Sequence, residues 1–175
     1  GDKQTGVTVF QMDAGMDTGP IWVQHSFEIP SGFTSPELFD ALSRIGVGAV
    51  KESLEKIERG DTPAAQSGSA SVAAKVSKEE CRIDWNSSAF EILQKIAAFS
   101  FNPGVYSFIR GEQIKISQAK LTDSKLKPGE LSPAGLVGTN DCALQLVQVT
   151  PAGKKTMSAK DWLNGFKVQS GEFFE

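Results

Sequence analysis

Apolar and polar residues alternate from Gly6 to Met12 (GVTVFQM), and the alternation resumes from Ile21 to Ile29 (IWVQHSFEI). A period of two with β-branched residues predicts two strands. Between them lies DAGMDTGP, with Asp13, Gly15, Asp17 and Gly19 ahead of Pro20. Glycine tolerates positive φ and close backbone approach, so this segment reads as a tight loop at the strand ends. The period then changes. Leu38, Leu42, Ile45, Ala49, Leu54 and Ile57 recur every three to five residues, as an amphipathic helix requires. Thr34 or Ser35 can cap it, Pro36 suits its first turn, and Gly60 ends it. Gly46 and Gly48 interrupt it, either as points of close packing on a sheet or as a kink.

Residues 61–74, DTPAAQSGSASVAA, are small, polar and turn-rich, the composition of a linker. Beyond it, Ser77 and Glu80 form a possible capping box. A helix is expected over about Ser88–Ala98, with Phe90, Leu93, Ile96 and Ala97 on one face. Strands follow at Val105–Arg110, Gln113–Lys120, Gly135–Gly138 and Ala143–Val149, with turns at Gly111 and Asn140-Asp141. A short helix at Ser158–Leu163 comes last. Several short strands separated by turns suit a small β-barrel, and one carrying an inserted helix resembles an OB-type fold. The expected division is 1–60, the end of an α/β domain; 61–78, a linker; and 79–175, the OB-like domain. Trp85 and Trp162 read as core or interdomain anchors.

Composition narrows the function. Hydrophobic residues make up 39% of the chain, enough for a core, and no apolar run is long enough for a membrane span. The net charge of −3 hides an acidic excess up to residue 80 and a small basic excess beyond it. That second half can meet phosphates without being built for them. Cys81 and Cys142 lack metal-ligand spacing and read as reduced thiols. With His25 the sole histidine, no metal site is expected, and His25 itself reads as structural.

Candidate chemistry is concentrated in the acidic loop. Asp13 and Asp17 either make Asx turns or present a carboxylate from the end of a strand, and the spacing alone leaves both open. Met12 and Met16 either fill a core or line a pocket. Lys75, Lys78 and Arg82 form one basic group, and Lys154, Lys155 and Lys160 another. Each cation alone is ordinary surface charge, but grouped they suit phosphate contacts. Tyr106 and Phe108, alternating in VYSFIR, share a face that offers either stacking or burial.

Three motifs occur in one order: GDxxTGVTxFxMDxGMDTGPI at the start, KxSKEExxIDW at 75–85 and PAGKKxMSAxDWLxG at 151–165. Together they resemble the methionyl-tRNA formyltransferase family, over nearly the whole chain. The resemblance implies the tail of a Rossmann-like catalytic domain followed by an OB-like domain that contacts tRNA. It implies formyl transfer from 10-formyltetrahydrofolate to the α-amino group of initiator methionyl-tRNA, in a cytoplasmic, monomeric enzyme. It places the catalytic aspartate at Asp17 and the folate-facing loop at Met12, Gly15, Met16 and Gly19. Lys75, Lys78, Arg82, Lys154, Lys155 and Lys160 fall where the family approaches RNA. The family's catalytic asparagine and histidine, the latter near an HPSLLP-like loop, lie upstream of its aspartate loop, and no such segment occurs here. These 175 residues alone are therefore expected to lack turnover, with the apolar faces of the two N-terminal strands uncovered. The rival readings are a stand-alone RNA-binding module and another folate-dependent formyltransferase or hydrolase.

Overall fold

A computed structural model describes residues 1–175 as two compact units, Asp2–Ala74 and Lys75–Glu175. In the first, β1 (Gln4–Phe10) pairs antiparallel with β2 (Ile21–Glu28), and α1 (Ser35–Glu58) packs on the hairpin. β1 ends two residues before Met12, because the register breaks between Val9 and Phe10 and the chain leaves the ladder there. Alternation makes the hairpin two-faced. Val7, Val9, Val23, His25 and Phe27 are covered to varying degrees, whereas Gln4, Gly6, Thr8, Gln24, Ser26 and Glu28 are exposed.

The helix begins where Thr34 donates its N–H (2.8 Å) and hydroxyl (2.6 Å) to the Glu37 carboxylate. It runs unbroken through Gly46 and Gly48. A Cβ at Gly46 would only touch Val7 at 3.9 Å, and one at Gly48 would meet nothing, so neither glycine is needed for close packing. Ala49 and Ser53 are buried against the hairpin, the Ser53 hydroxyl donating to the Ala49 carbonyl. Apart from Met12 and Met16 in the β1–β2 connection and Val72 after the helix, the uncovered apolar surface of this unit lies on the helix, at Phe39, Val47, Val50, Leu54 and Ile57. The two strands do not carry it, contrary to the sequence-based expectation, because α1 already covers their apolar face.

The second unit opens with a 3₁₀ turn, Glu79–Cys81, which is what the Ser77–Glu80 box caps in place of an α-helix. Next come α2 (Ala89–Ala98), β3 (Val105–Ile109), β4 (Glu112–Thr122), β5 (Glu130–Leu131) and β6 (Leu136–Gly138). They are followed by β7 (Ala143–Pro151), β8 (Met157–Ser158), α3 (Ala159–Phe166) and β9 (Glu172–Phe173). The sheet order is β3-β4-β7-β6-β5-β9, all antiparallel, with β8 added to β7.

The sheet curls until its ends meet. Past β9, the Glu175 N–H donates to the Phe108 carbonyl on β3 (2.8 Å). Two local features produce the curl. Arg110 and Gly111 both take positive φ (51° and 72°), the two-residue turn whose twist suits a hairpin. In β4 the register slips on both sides of Gln118, so inward residues shift from Ile114 and Ile116 to Ala119. Such a bulge bends a long strand.

Inside the curl lie Ile109, Ile114, Ile116, Leu131, Val137, Leu144 and Val149, each essentially inaccessible. Each contributes about 1.5–3 kcal/mol through burial. α2 adds Ala89, Ile92 and Ile96, and Trp85 and Trp162 stack with Phe174 at ring distances of 5.4 and 6.2 Å. Phe90 does not join them. It is exposed, because the buried stripe of α2 runs 89–92–96; of the expected face, Ile96 is buried and Leu93 packs partly against the core.

Candidate active site

The loop between β1 and β2 is held at three points. At its neck the Gln11 N–H donates to the Pro20 carbonyl (2.8 Å). Gly19 sits so close that a Cβ there would lie 1.7 Å from the Gln11 oxygen. Within the loop, Asp13 Oδ1 accepts from the Gly15 N–H (2.9 Å) and the Thr18 hydroxyl (2.8 Å). A Cβ on Gly15 would stand 2.1 Å from that hydroxyl, so a side chain here would push Thr18 away from Asp13. From outside, Gln66 Nε2 donates to the carbonyls of Asp17 (2.8 Å) and Gly19 (2.7 Å).

Asp17 stands at the tip with φ 55°, in the left-handed region that L side chains seldom adopt. Its carboxylate accepts no hydrogen bond from the chain and is exposed. The two aspartates therefore divide. Asp13 is spent on shaping the turn, and Asp17 is the free acid the turn displays. Met12 and Met16, 86% and 89% exposed, flank it and belong to no core. The loop thus gathers Met12, Gly15, Met16, Asp17 and Gly19 into ten residues of chain.

His25 is not part of this group. On β2 its Nε2 lies 3.0 Å from Glu52 Oε2 on α1, and the Lys56 ammonium holds that glutamate below the ordinary carboxylate range. No set of His, Cys, Asp or Glu side chains is arranged to hold a metal ion, and no helix is long and apolar enough to cross a membrane.

The basic residues lie in the second unit, in two places. Lys75, Lys78 and Arg82 surround the 3₁₀ turn. Lys154 and Lys155 occupy the β7–β8 turn, and Lys160 the first turn of α3. All six are exposed and none is ion-paired. Arg82 also lies 5.6 Å above the Phe108 ring, which meets Tyr106 edge-on at 5.6 Å. Both rings are half-buried on the outer face of β3, so the alternation in VYSFIR resolves to a partly open aromatic pair.

Gln66 was not among the residues singled out from sequence. One signal marked it: it is the only long polar side chain between Asp61 and Lys75, in a run otherwise of small residues and one valine.

Comparison with known proteins agrees over both units. Residues 1–53 match the formyl transferase family model, and residues 75–167 match that of the formyl transferase C-terminal domain. The methionyl-tRNA formyltransferase of Carboxydothermus hydrogenoformans is 37% identical over 183 aligned residues, covering 100% of this chain and 59% of its own length. That of Jannaschia sp. (strain CCS1) is 32% identical, covering 100% and 58%. The chain thus spans under two thirds of these relatives. Among solved structures, HypX from Aquifex aeolicus in complex with tetrahydrofolic acid shares the fold, with a TM-score of 0.77 at 23% identity. That match covers 99% of this chain and 34% of the other. From its loop to its curled sheet, the chain belongs to the formyl transferase family.

Proposed function

We propose that the protein carrying this chain transfers a formyl group from 10-formyltetrahydrofolate to the α-amino group of initiator methionyl-tRNA. The observation that carries this reading is the unpartnered Asp17 carboxylate on a loop held at three points. The names of the relatives aligned along the whole chain support it. The folate supplies the formyl carbon. The loop fits such a donor in its chemistry, since exposed Met12 and Met16 offer soft apolar contact to a flat ring system beside open backbone groups. An attacking amine must be unprotonated and must shed a further proton as its bond to the formyl carbon forms, while the bond from that carbon to N10 breaks and tetrahydrofolate leaves with a proton on N10. Asp17 orients the water or imidazole that removes this proton, a role worth about 10²–10⁴-fold in rate. In this reading Asp2–Ala74 belongs to the catalytic domain, and the curled sheet is an OB-like module. That module meets the RNA through Lys75, Lys78, Arg82, Lys154, Lys155 and Lys160.

The test is formyl incorporation into initiator methionyl-tRNA, paired with tRNA affinity across a salt series. Charge reversal at Lys75, Lys78, Lys154 and Lys155 should weaken binding and flatten its salt slope. Unchanged affinity and slope would remove RNA from the proposal. A second reading is formyl transfer to another amine, since the fold is shared with proteins other than methionyl-tRNA formyltransferases. Efficient formylation of a small amine, with methionyl-tRNA ignored, would favour it.

A further inference from the structure

The segment after α1 returns to the acidic loop instead of leaving the unit. Ala64 and Ile21 exchange two backbone hydrogen bonds (2.7 and 2.9 Å), which pins the chain beside the start of β2. Two residues later, the Gln66 amide nitrogen donates to the carbonyls of Asp17 and Gly19. Those carbonyls bracket Thr18, whose hydroxyl is already tied to Asp13. Asp17 itself is in the left-handed conformation, which persists only where surrounding structure over-determines it. Without Gln66, no other side chain holds the Asp17 carbonyl.

We propose that Gln66 is a positioning residue: its two N–H donors lock the backbone at Asp17 and so fix where the free carboxylate points. This inference rests on the reading of Asp17 as the group that manages the amine's proton. A primary amide suits the task because it has two donors on one atom, one for each carbonyl.

The experiment compares four variants of the protein carrying this chain: Gln66→Met, Gln66→Lys, Asp17→Asn and the Asp17→Asn/Gln66→Met double. Met keeps the bulk and loses the donors, whereas Lys keeps donors and changes the shape. Gln66→Met should lower kcat about 10- to 100-fold, the cost of a misplacement near one ångström, with the KM for the formyl donor little changed. Gln66→Lys should recover most of that loss. In the Asp17→Asn background, Gln66→Met should cost nothing further, because its effect runs through Asp17.

A packing role predicts the reverse ranking, with Met tolerated and Lys not. Wild-type kcat in Gln66→Met, or the same loss with and without Asp17, overturns the inference. If the Met variant does not fold, Gln66→Lys decides alone: near-normal kcat supports the inference and a large loss overturns it. If Asp17→Asn keeps full kcat, the reading of Asp17 fails and the inference with it. That outcome is distinct from failure at Gln66 alone.

Discussion

Replacing Gly19 with alanine tests whether the loop is held as described. The added Cβ would stand 1.7 Å from the Gln11 carbonyl oxygen and 2.9 Å from its carbon, both backbone atoms. Neither can swing aside as a flexible side chain would, so the neck must open by more than an ångström. Opening breaks the 2.8 Å bond from the Gln11 N–H to the Pro20 carbonyl, worth about 0.5–1.5 kcal/mol net. It also forces an overpacked contact costing about 1–3 kcal/mol. Against this stands the lower entropy of an unfolded alanine chain, about 0.4–1 kcal/mol in favour of the variant. The losses win, and Gly19→Ala should destabilise the first unit by about 1–3 kcal/mol. Gly48→Ala, on the same unit with nothing near its Cβ, should stabilise it by about 0.5–1 kcal/mol. The assay is hydrogen exchange at the Gln11 amide, together with urea unfolding. Gly19→Ala should expose that amide and lower the midpoint, while Gly48→Ala raises the midpoint. A Gly19→Ala variant with the amide still protected and the midpoint unchanged would refute the geometry of the neck.

Ser107 is inaccessible, accepts from Trp85 Nε1 (2.9 Å) and donates to the Glu175 carbonyl (2.8 Å) where the sheet closes. Ser107→Ala strands the indole N–H and should cost about 1–3 kcal/mol in urea unfolding; an unchanged midpoint would contradict this. Asp141 accepts from the Ala89 N–H at the start of α2 and from Thr139, and the first of these chiefly holds its carboxyl below the ordinary value. A carboxyl depressed in the folded state stabilises above its unfolded pKa of about 3.9. That stabilisation fades as pH falls through the lower folded value. Asp141→Asn should therefore flatten the acid limb of the stability–pH curve below about pH 4, and a limb as steep as in the wild type would count against the cap. Together with Gln66→Met, these variants sample the loop, the closure of the curled sheet and the helix cap separately.

The parts of the fold visible in the sequence are those written in periodicity and caps. The hairpin, α1 with Thr34 ahead of it, α2 behind Ser88, and the long strands β3, β4 and β7 all announce themselves through alternation or helical spacing. The two-residue strands β5, β8 and β9 do not, because two residues carry no period. They exist because the curled sheet supplies partners from far along the chain. Helical spacing groups Phe90 with Leu93, Ile96 and Ala97, but Phe90 is exposed. Small Ala89 takes the buried position instead, under the Asp141 cap. At the loop, spacing alone left Asp13 and Asp17 equivalent, and only the family resemblance singled out Asp17. The hydrogen bonds to Asp13 give the physical reason, separating the turn-former from the displayed acid. Gln66 was hidden for a related reason, since its partners are carbonyls 47 and 49 residues away and carry no side-chain signature.

The most direct measurement is single-turnover formyl transfer from 10-formyltetrahydrofolate to initiator methionyl-tRNA, comparing Asp17→Asn with Asp13→Asn in the protein carrying this chain. Asparagine at position 13 keeps an acceptor oxygen for Gly15 and Thr18 and should turn over near the wild-type rate. At position 17 it removes the only carboxylate the loop displays, and the rate should fall about 10²–10⁴-fold with folate still bound. Full-rate transfer by Asp17→Asn would contradict the account.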